Sequence, residues 1–196
     1  EGGYEIIAGH RRKRGAERAG LHCLPAIVRN YTDDEATIIM VDSNIQREDI
    51  LPSEKAKAYS MKYEAMKHQG RRGGGSTLDE VGEAAGESGK TVQRYIWLAR
   101  LTEPLLEMID TKRLGISQGA DISFLPTEQQ LWVQEILQET KITISNAQAV
   151  KLKEYSKEGI LSPEIVQMIL AEEKPKKRKY VIREERIRKY FPDHYS

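Results

Sequence analysis

"YEIIAGHRRKRGAERAGL", residues 4–21, decides how the fold is read. Tyr4–Ala8 is a short apolar run of strand length, Gly9 interrupts it, and His10–Ala19 has helical character up to Gly20. Arg11, Arg12, Lys13 and Arg14 crowd the first turn of that helix. Cations sit badly there, because the macrodipole already makes a helix N-terminus positive. An anion would reconcile them. A glycine allows close backbone approach, the free N–H groups of the first turn accept an anion, and guanidinium forks match phosphate oxygens. The plainer alternative is a solvated basic face.

Working outward, Leu24–Arg29 reads as a second strand with Pro25 at its edge. Asp33 or Asp34 caps a helix reaching about Arg47, with Ala36, Ile39, Met40 and Ile45 as its apolar positions. Pro52 opens a helix to about His68 that carries Ala56, Tyr59, Tyr63 and Met66. "QGRRGGGS", residues 69–76, is the clearest boundary. Helical patterning follows at about 77–85, 88–101, 103–112, 117–124, 126–139, 143–156 and 162–172. Leu105, Leu106 and Ile109, then Leu131, Ile136 and Leu137, are spaced for helices. "EEKPKKRKY", residues 172–180, reads as a basic linker and "VIREERIRKYF" as a last helix. The expected class is α+β, mainly helical. A small N-terminal α/β domain (1–69) precedes a glycine linker (70–76), an all-helical domain (77–172) and a basic tail (173–196).

Hydrophobic residues make up 39% of the 196-residue chain and charged residues 31%, yet the formal net charge is +1. The distribution of charge therefore matters more than its sum. Basic residues gather at 11–18 and 174–189, and Arg71 and Arg72 lie in the glycine stretch. The single cysteine, Cys23, excludes an intrachain disulfide, fits a reducing cytoplasmic setting, and is expected to be a small packed residue. No apolar run approaches the ~18 residues of a membrane span, and no signal peptide is visible. The chain does not begin with methionine, so further sequence is expected upstream. There is no catalytic triad, paired-carboxylate pattern or zinc spacing.

"TLDEVGEAAGESGKTVQRYIWLARL", residues 77–101, reads as two helices around a tight turn. Thr77 and Glu80 have capping-box spacing, Leu78, Val81 and Ala85 form a stripe, Gly86 turns the chain, and Ser88 caps the second helix. Val92, Tyr95, Ile96 and Ala99 then face inward. Ser88, Gly89, Lys90, Thr91, Gln93, Arg94 and Trp97 are left toward the outside, where a recognition helix meets DNA. Gln93 suits adenine, and Arg94 suits guanine or a phosphate. An ordinary helical hairpin is the alternative. Arg71 and Arg72 either touch the DNA backbone or form a solvated hinge.

Residues 4–21 closely resemble the box that ParB-type partition proteins write Y-E-L-I-A-G-E-R-R-W-R-A-A-x-x-A-G-L. "SNIQREDILPSEKAKAY", residues 43–59, resembles their E-N-x-Q-R-E-D-L-x-P-x-E-E-A-x-A-Y. The resemblance covers about residues 4–125. It implies a ParB/sulfiredoxin-like N-terminal domain, a helix–turn–helix, and a homodimer on a palindromic double-stranded DNA site such as parS. A ParA-type ATPase is the implied further partner, in a cytoplasmic protein of bacterial nucleoid or plasmid. It also implies a clamp switch driven by CTP and Mg²⁺. Gly9, His10, Arg11 and Arg12 would line the triphosphate, and Ser43, Asn44 and Arg47 would complete the pocket.

Two departures bear on activity. His10 stands where the family has glutamate, and Ser43 replaces the glutamate that the family ties to magnesium and hydrolysis. Asp42 lies one residue away, about 100° round the helix, and is no obvious substitute. Nucleotide binding is therefore expected more readily than CTP hydrolysis. The competing functions are a DNA-binding transcriptional or nucleoid-associated regulator that uses no nucleotide, and a ParB-like nuclease.

Overall fold

A computed structural model describes residues 3–47, 49–70, 75–140 and 142–172, with the backbone alone for 75 and 76. The tail at 173–196, the last expected helix and Arg71 and Arg72 lie outside the described residues. Among the described residues there are ten helices: α1 (His10–Arg18), α2 (Asp33–Ile45), α3 (Pro52–His68), α4 (Gly75–Glu83), α5 (Gly89–Leu98), α6 (Glu103–Asp110), α7 (Ile116–Ile122), α8 (Thr127–Thr140), α9 (Asn146–Lys157) and α10 (Pro163–Ala171).

The expected α+β class is overturned: the described residues contain helices and no strand. Residues 4–8 and 24–29 have strand composition but pair with nothing. A strand requires a neighbouring edge for its N–H and C=O groups. Apart from the half-buried Ile7, their apolar side chains are exposed, Tyr4 86% and Ile27 85%. Cys23 lies in the same irregular segment and is exposed, contrary to the expected packed position.

The helices start where side chains satisfy orphan N–H groups. Thr32, rather than Asp33 or Asp34, caps α2: its hydroxyl accepts from Glu35 N (3.3 Å) while Glu35 Oε2 accepts from Thr32 N (2.8 Å). Glu35 Oε2 also accepts from Thr32 Oγ1 (3.1 Å), and the bonds from Thr32 N and Oγ1 hold the Glu35 carboxyl below the usual range. Pro52 opens α3, and Ser145 and Ser162 cap α9 and α10. Thr77 does not cap, because α4 begins at Gly75 and encloses Thr77 as a buried residue.

One apolar core runs from Val41 on α2 to Leu170 on α10. α3 packs on α2, α4, α5 and α6; α5 continues onto α7, and α7 onto α9. Tyr59 of α3 and Tyr95 of α5 bring their ring centroids within 5.8 Å. Asp110, at the end of α6, accepts from Ser53 N (2.9 Å) and Ser53 Oγ (2.5 Å), so α6 supplies an anion to the N-terminus of α3. Among the described residues no helix is long and apolar enough to cross a membrane.

Candidate nucleic-acid interface

α4 and α5 form the unit to which the remaining candidate residues belong. α4 ends in a turn whose Gly86 has φ +66°, a conformation that side-chain-bearing residues rarely adopt. Glu87 N donates to Gly82 O (3.1 Å), closing the turn. A Cβ on Gly82 would stand 2.2 Å from the Glu87 carbonyl oxygen and 2.8 Å from Val92 Cγ2, so the two helices meet at a distance that only glycine permits.

The start of α5 is fixed twice. Ser88 Oγ accepts from Thr91 N (3.4 Å) and lies 3.1 Å from Thr91 Oγ1. Asp79 of α4 reaches across so that its Oδ1 accepts from Gly89 N (2.7 Å). The turn is also held from α3, where Lys55 Nζ donates to Glu87 Oε1 (2.6 Å). Val92, Tyr95, Ile96 and Leu98 are buried, and Ala99 is half-buried. That anchoring leaves one free face on α5. Lys90 and Arg94 are exposed, four residues apart, and neither pairs with an acidic side chain among the described residues. Thr91, Gln93 and Trp97 are half-buried beside them.

Of the residues expected at DNA, Lys90, Gln93 and Arg94 thus share a rigid, accessible surface. Ser88 and Gly89 hold the helix start instead, their polar groups engaged within the fold. Arg71 and Arg72 lie outside the described residues. Asp79 and Lys55 were not singled out from the sequence. Asp79 sits ten residues before its partner and Lys55 thirty-two, at spacings that carry no local signal.

The other expected site has two parts. Gly9 precedes α1 with φ +99°, and the Arg12 guanidinium folds over it, 3.4 Å from where a Cβ would lie. His10, Arg11, Arg12 and Arg14 are exposed. Arg11, Arg14, Gly15 and Arg18 line a shallow hollow of about 360 Å³. Asn44 and Arg47 line a different one of about 280 Å³, with Met40, Ile50, Ala58 and Met61. Ser43 Oγ and Asn44 Nδ2 both donate to the Met40 carbonyl oxygen (2.9 and 3.0 Å), turning back on their own helix. The two hollows share no lining residue. Of the seven residues expected at a triphosphate, Arg11 lines the first hollow and Asn44 and Arg47 the second. No three His, Cys, Asp or Glu side chains gather as a metal-ligand group among the described residues.

Among the described residues the chain is helical, with two cations free of acidic partners and an amide on one face of a doubly fixed helix. Comparison with known proteins places it more narrowly. Residues 1–45 match the ParB N-terminal domain. A probable chromosome 1-partitioning protein ParB of Deinococcus radiodurans is 34% identical over 148 residues, covering 76% of this chain and 48% of that protein. The chromosome-partitioning protein Spo0J of Thermus thermophilus is 32% identical over 149 residues, covering 76% and 52%. A nucleoid occlusion protein of Listeria innocua is 31% identical over 127 residues, covering 65% and 42%. Among solved structures, C-terminally truncated ParB from Caulobacter crescentus, complexed to the centromeric parS site, matches with a TM-score of 0.47 and 23% identity. That match covers 76% of this chain and 73% of the other. Over about three quarters of its length the chain is related to ParB-type partition proteins. It spans about half the length of the curated relatives it matches.

Proposed function

We propose that this chain is a DNA-binding partition protein in which α4–α5 is a helix–turn–helix and α5 enters the major groove. The observation that carries the reading is the free face of α5. Lys90 and Arg94 stand exposed and unpaired on a helix whose start is locked by Ser88 and Asp79. A recognition helix needs both properties: a rigid entry angle, and donors not already satisfied within the protein. Arg94 offers the fork that fits guanine O6 and N7, Gln93 the amide that fits adenine, and Lys90 a point charge for phosphate. The relatives' names, which speak of partitioning, support the same reading. A homodimer on a palindrome is part of the proposal, as is a ParA-type ATPase as its partner.

Selection from a random duplex library tests it. A recovered site should bind about 10³-fold or more tighter than unselected duplex, and Arg94→Ala should remove about 1–3 kcal/mol of that margin. No enrichment, or enrichment indifferent to Arg94→Ala, overturns the reading.

A nucleotide role for CTP with Mg²⁺ has narrower support, namely the exposed turn of Gly9, Arg11 and Arg12. Asn44 and Arg47 line a hollow apart from that turn, and Ser43 Oγ donates to the Met40 carbonyl oxygen of its own helix. Titration calorimetry with CTP tests this part: binding weakened by Arg12→Ala supports it, and no heat from the full chain rejects it.

A further inference from the structure

The exposed face of α5 continues onto α7 and α9. Trp97 follows Arg94 by three residues and Lys90 by seven, so all three lie along one side of the helix. The Trp97 ring meets the edge of Phe124, just beyond α7, with centroids 5.0 Å apart. Phe124 is 40% exposed. Over its ring, 4.0 Å from the centroid, stands Nζ of Lys153 from α9. Lys153 Nζ also donates to Asp121 Oδ1 of α7 (3.0 Å), with both side chains partly in solvent. A continuous strip therefore runs Lys90, Arg94, Trp97, Phe124, Lys153.

The geometry points to Lys153 as a DNA-backbone contact that extends the recognition surface beyond α5, with Phe124 as its positioning platform and Asp121 as its competitor. This rests on the DNA-binding reading above. Seven residues of α5 span about 10 Å at a rise of 1.5 Å per residue, close to the ~12 Å width of the major groove. With Lys90 on one phosphate strand and Arg94 on a base edge, the far end of the strip falls where the other strand borders the groove. A lysine suits that position, because a backbone contact needs a charge and no fork. The stack on Phe124 removes conformational freedom from the Lys153 stem in advance. The Asp121 pair is exposed enough to be weak, so a phosphate can take the ammonium from it.

Asp121 gives the test two opposite signs. On the selected duplex and on random duplex of equal length, Lys153→Gln should weaken binding several-fold on both. It should also make the log–log salt slope shallower by about 0.9, the share of one phosphate. Lys153→Arg should retain both affinity and slope. Asp121→Asn, which frees the ammonium and removes a negative charge, should tighten binding several-fold on both duplexes. Lys151→Gln, on the same helix but paired with Glu172, should leave the salt slope unchanged. The inference is overturned if Arg94→Ala weakens binding while Lys153→Gln and Asp121→Asn leave affinity and slope at wild-type values; the pair would then only brace α7 against α9. Should Arg94→Ala also be without effect, the DNA-binding reading itself has failed.

Discussion

Lys62 Nζ of α3 lies 2.5 Å from Asp42 Oδ1 of α2 and 3.3 Å from the Val81 carbonyl oxygen of α4. The lysine is buried and the aspartate about one-third exposed. One ammonium thus joins three helices, linking the segment before Ser43 and Asn44 to α4. Asp42, discounted from the sequence as a stand-in for the family's catalytic carboxylate, is occupied by this structural pairing.

The pair behaves asymmetrically under mutation. Asp42→Asn leaves a buried charge with a carbonyl as its main partner, and should destabilise the protein by about 1–3 kcal/mol. Lys62→Met removes the charge and keeps the volume, so it should cost less. Urea denaturation checks both changes. The double variant should be more stable than Asp42→Asn alone; equal or greater loss would mean that the ammonium is not the source of the cost.

Glycine substitutions separate close packing from helix propensity. At Gly82 a Cβ would overlap backbone of the α4–α5 turn, which cannot yield as a flexible side-chain tip can. Gly82→Ala should cost about 1–3 kcal/mol or more and weaken DNA binding, since Glu87 and the start of α5 must shift. Gly15 lies mid-helix in α1 with nothing within 4 Å of a built Cβ. There Gly15→Ala should favour α1 by about 0.8–1 kcal/mol of intrinsic propensity, read as increased helical circular dichroism. A reversed order of the two variants would refute the packing described at the turn.

Most of the helical part was legible in the sequence because its signals are local. Pro52 and His68 bracket α3, Ser88 caps α5, and Val92, Tyr95 and Ile96 follow helical spacing into the core. The N-terminal reading failed because strand composition states what a segment would do with a neighbour, and nothing in residues 4–8 or 24–29 says whether one is present. The inward spacing of Val92, Tyr95, Ile96 and Ala99 left Lys90 and Arg94 as outward candidates. The contacts that hold their helix come from Asp79, ten residues earlier, and Lys55, from another helix. Only the folded chain brings those groups together.

Tyr59 supplies a pH test of the α3–α5 junction. Its hydroxyl is buried without a hydrogen-bond partner, as is Glu87 Oε2. Burial first, and then the charge of Glu87, push the hydroxyl well above its ordinary value of 10.0. In the unfolded chain it ionises near 10, while in the folded protein it stays protonated at higher pH. Above pH 10 the unfolded state therefore binds fewer protons, and stability falls as pH rises. Tyr59→Phe removes that linkage and an unsatisfied buried group. Its melting temperature at pH 8 should match or exceed the wild type's, and its advantage should grow between pH 9 and 11. A constant difference across that range would mean that the hydroxyl does not feel the environment described.

Lys90 and Arg94 lie one helical turn apart with similar exposure, yet their chemistry assigns them different work. A guanidinium that forks onto one guanine contributes to discrimination. Arg94→Ala should therefore cost about 1–3 kcal/mol on the selected duplex, much less on random duplex, and relax the preference at a single base pair. An ammonium on phosphate contributes without regard to sequence. Lys90→Ala should weaken both duplexes alike and make the salt slope shallower by about 0.9, with base preference intact. Binding isotherms at several salt concentrations, together with a repeat of the selection, distinguish the two. If Lys90→Ala alters base preference while Arg94→Ala shifts only the salt slope, α5 approaches the groove from its other end and the proposed docking must be inverted.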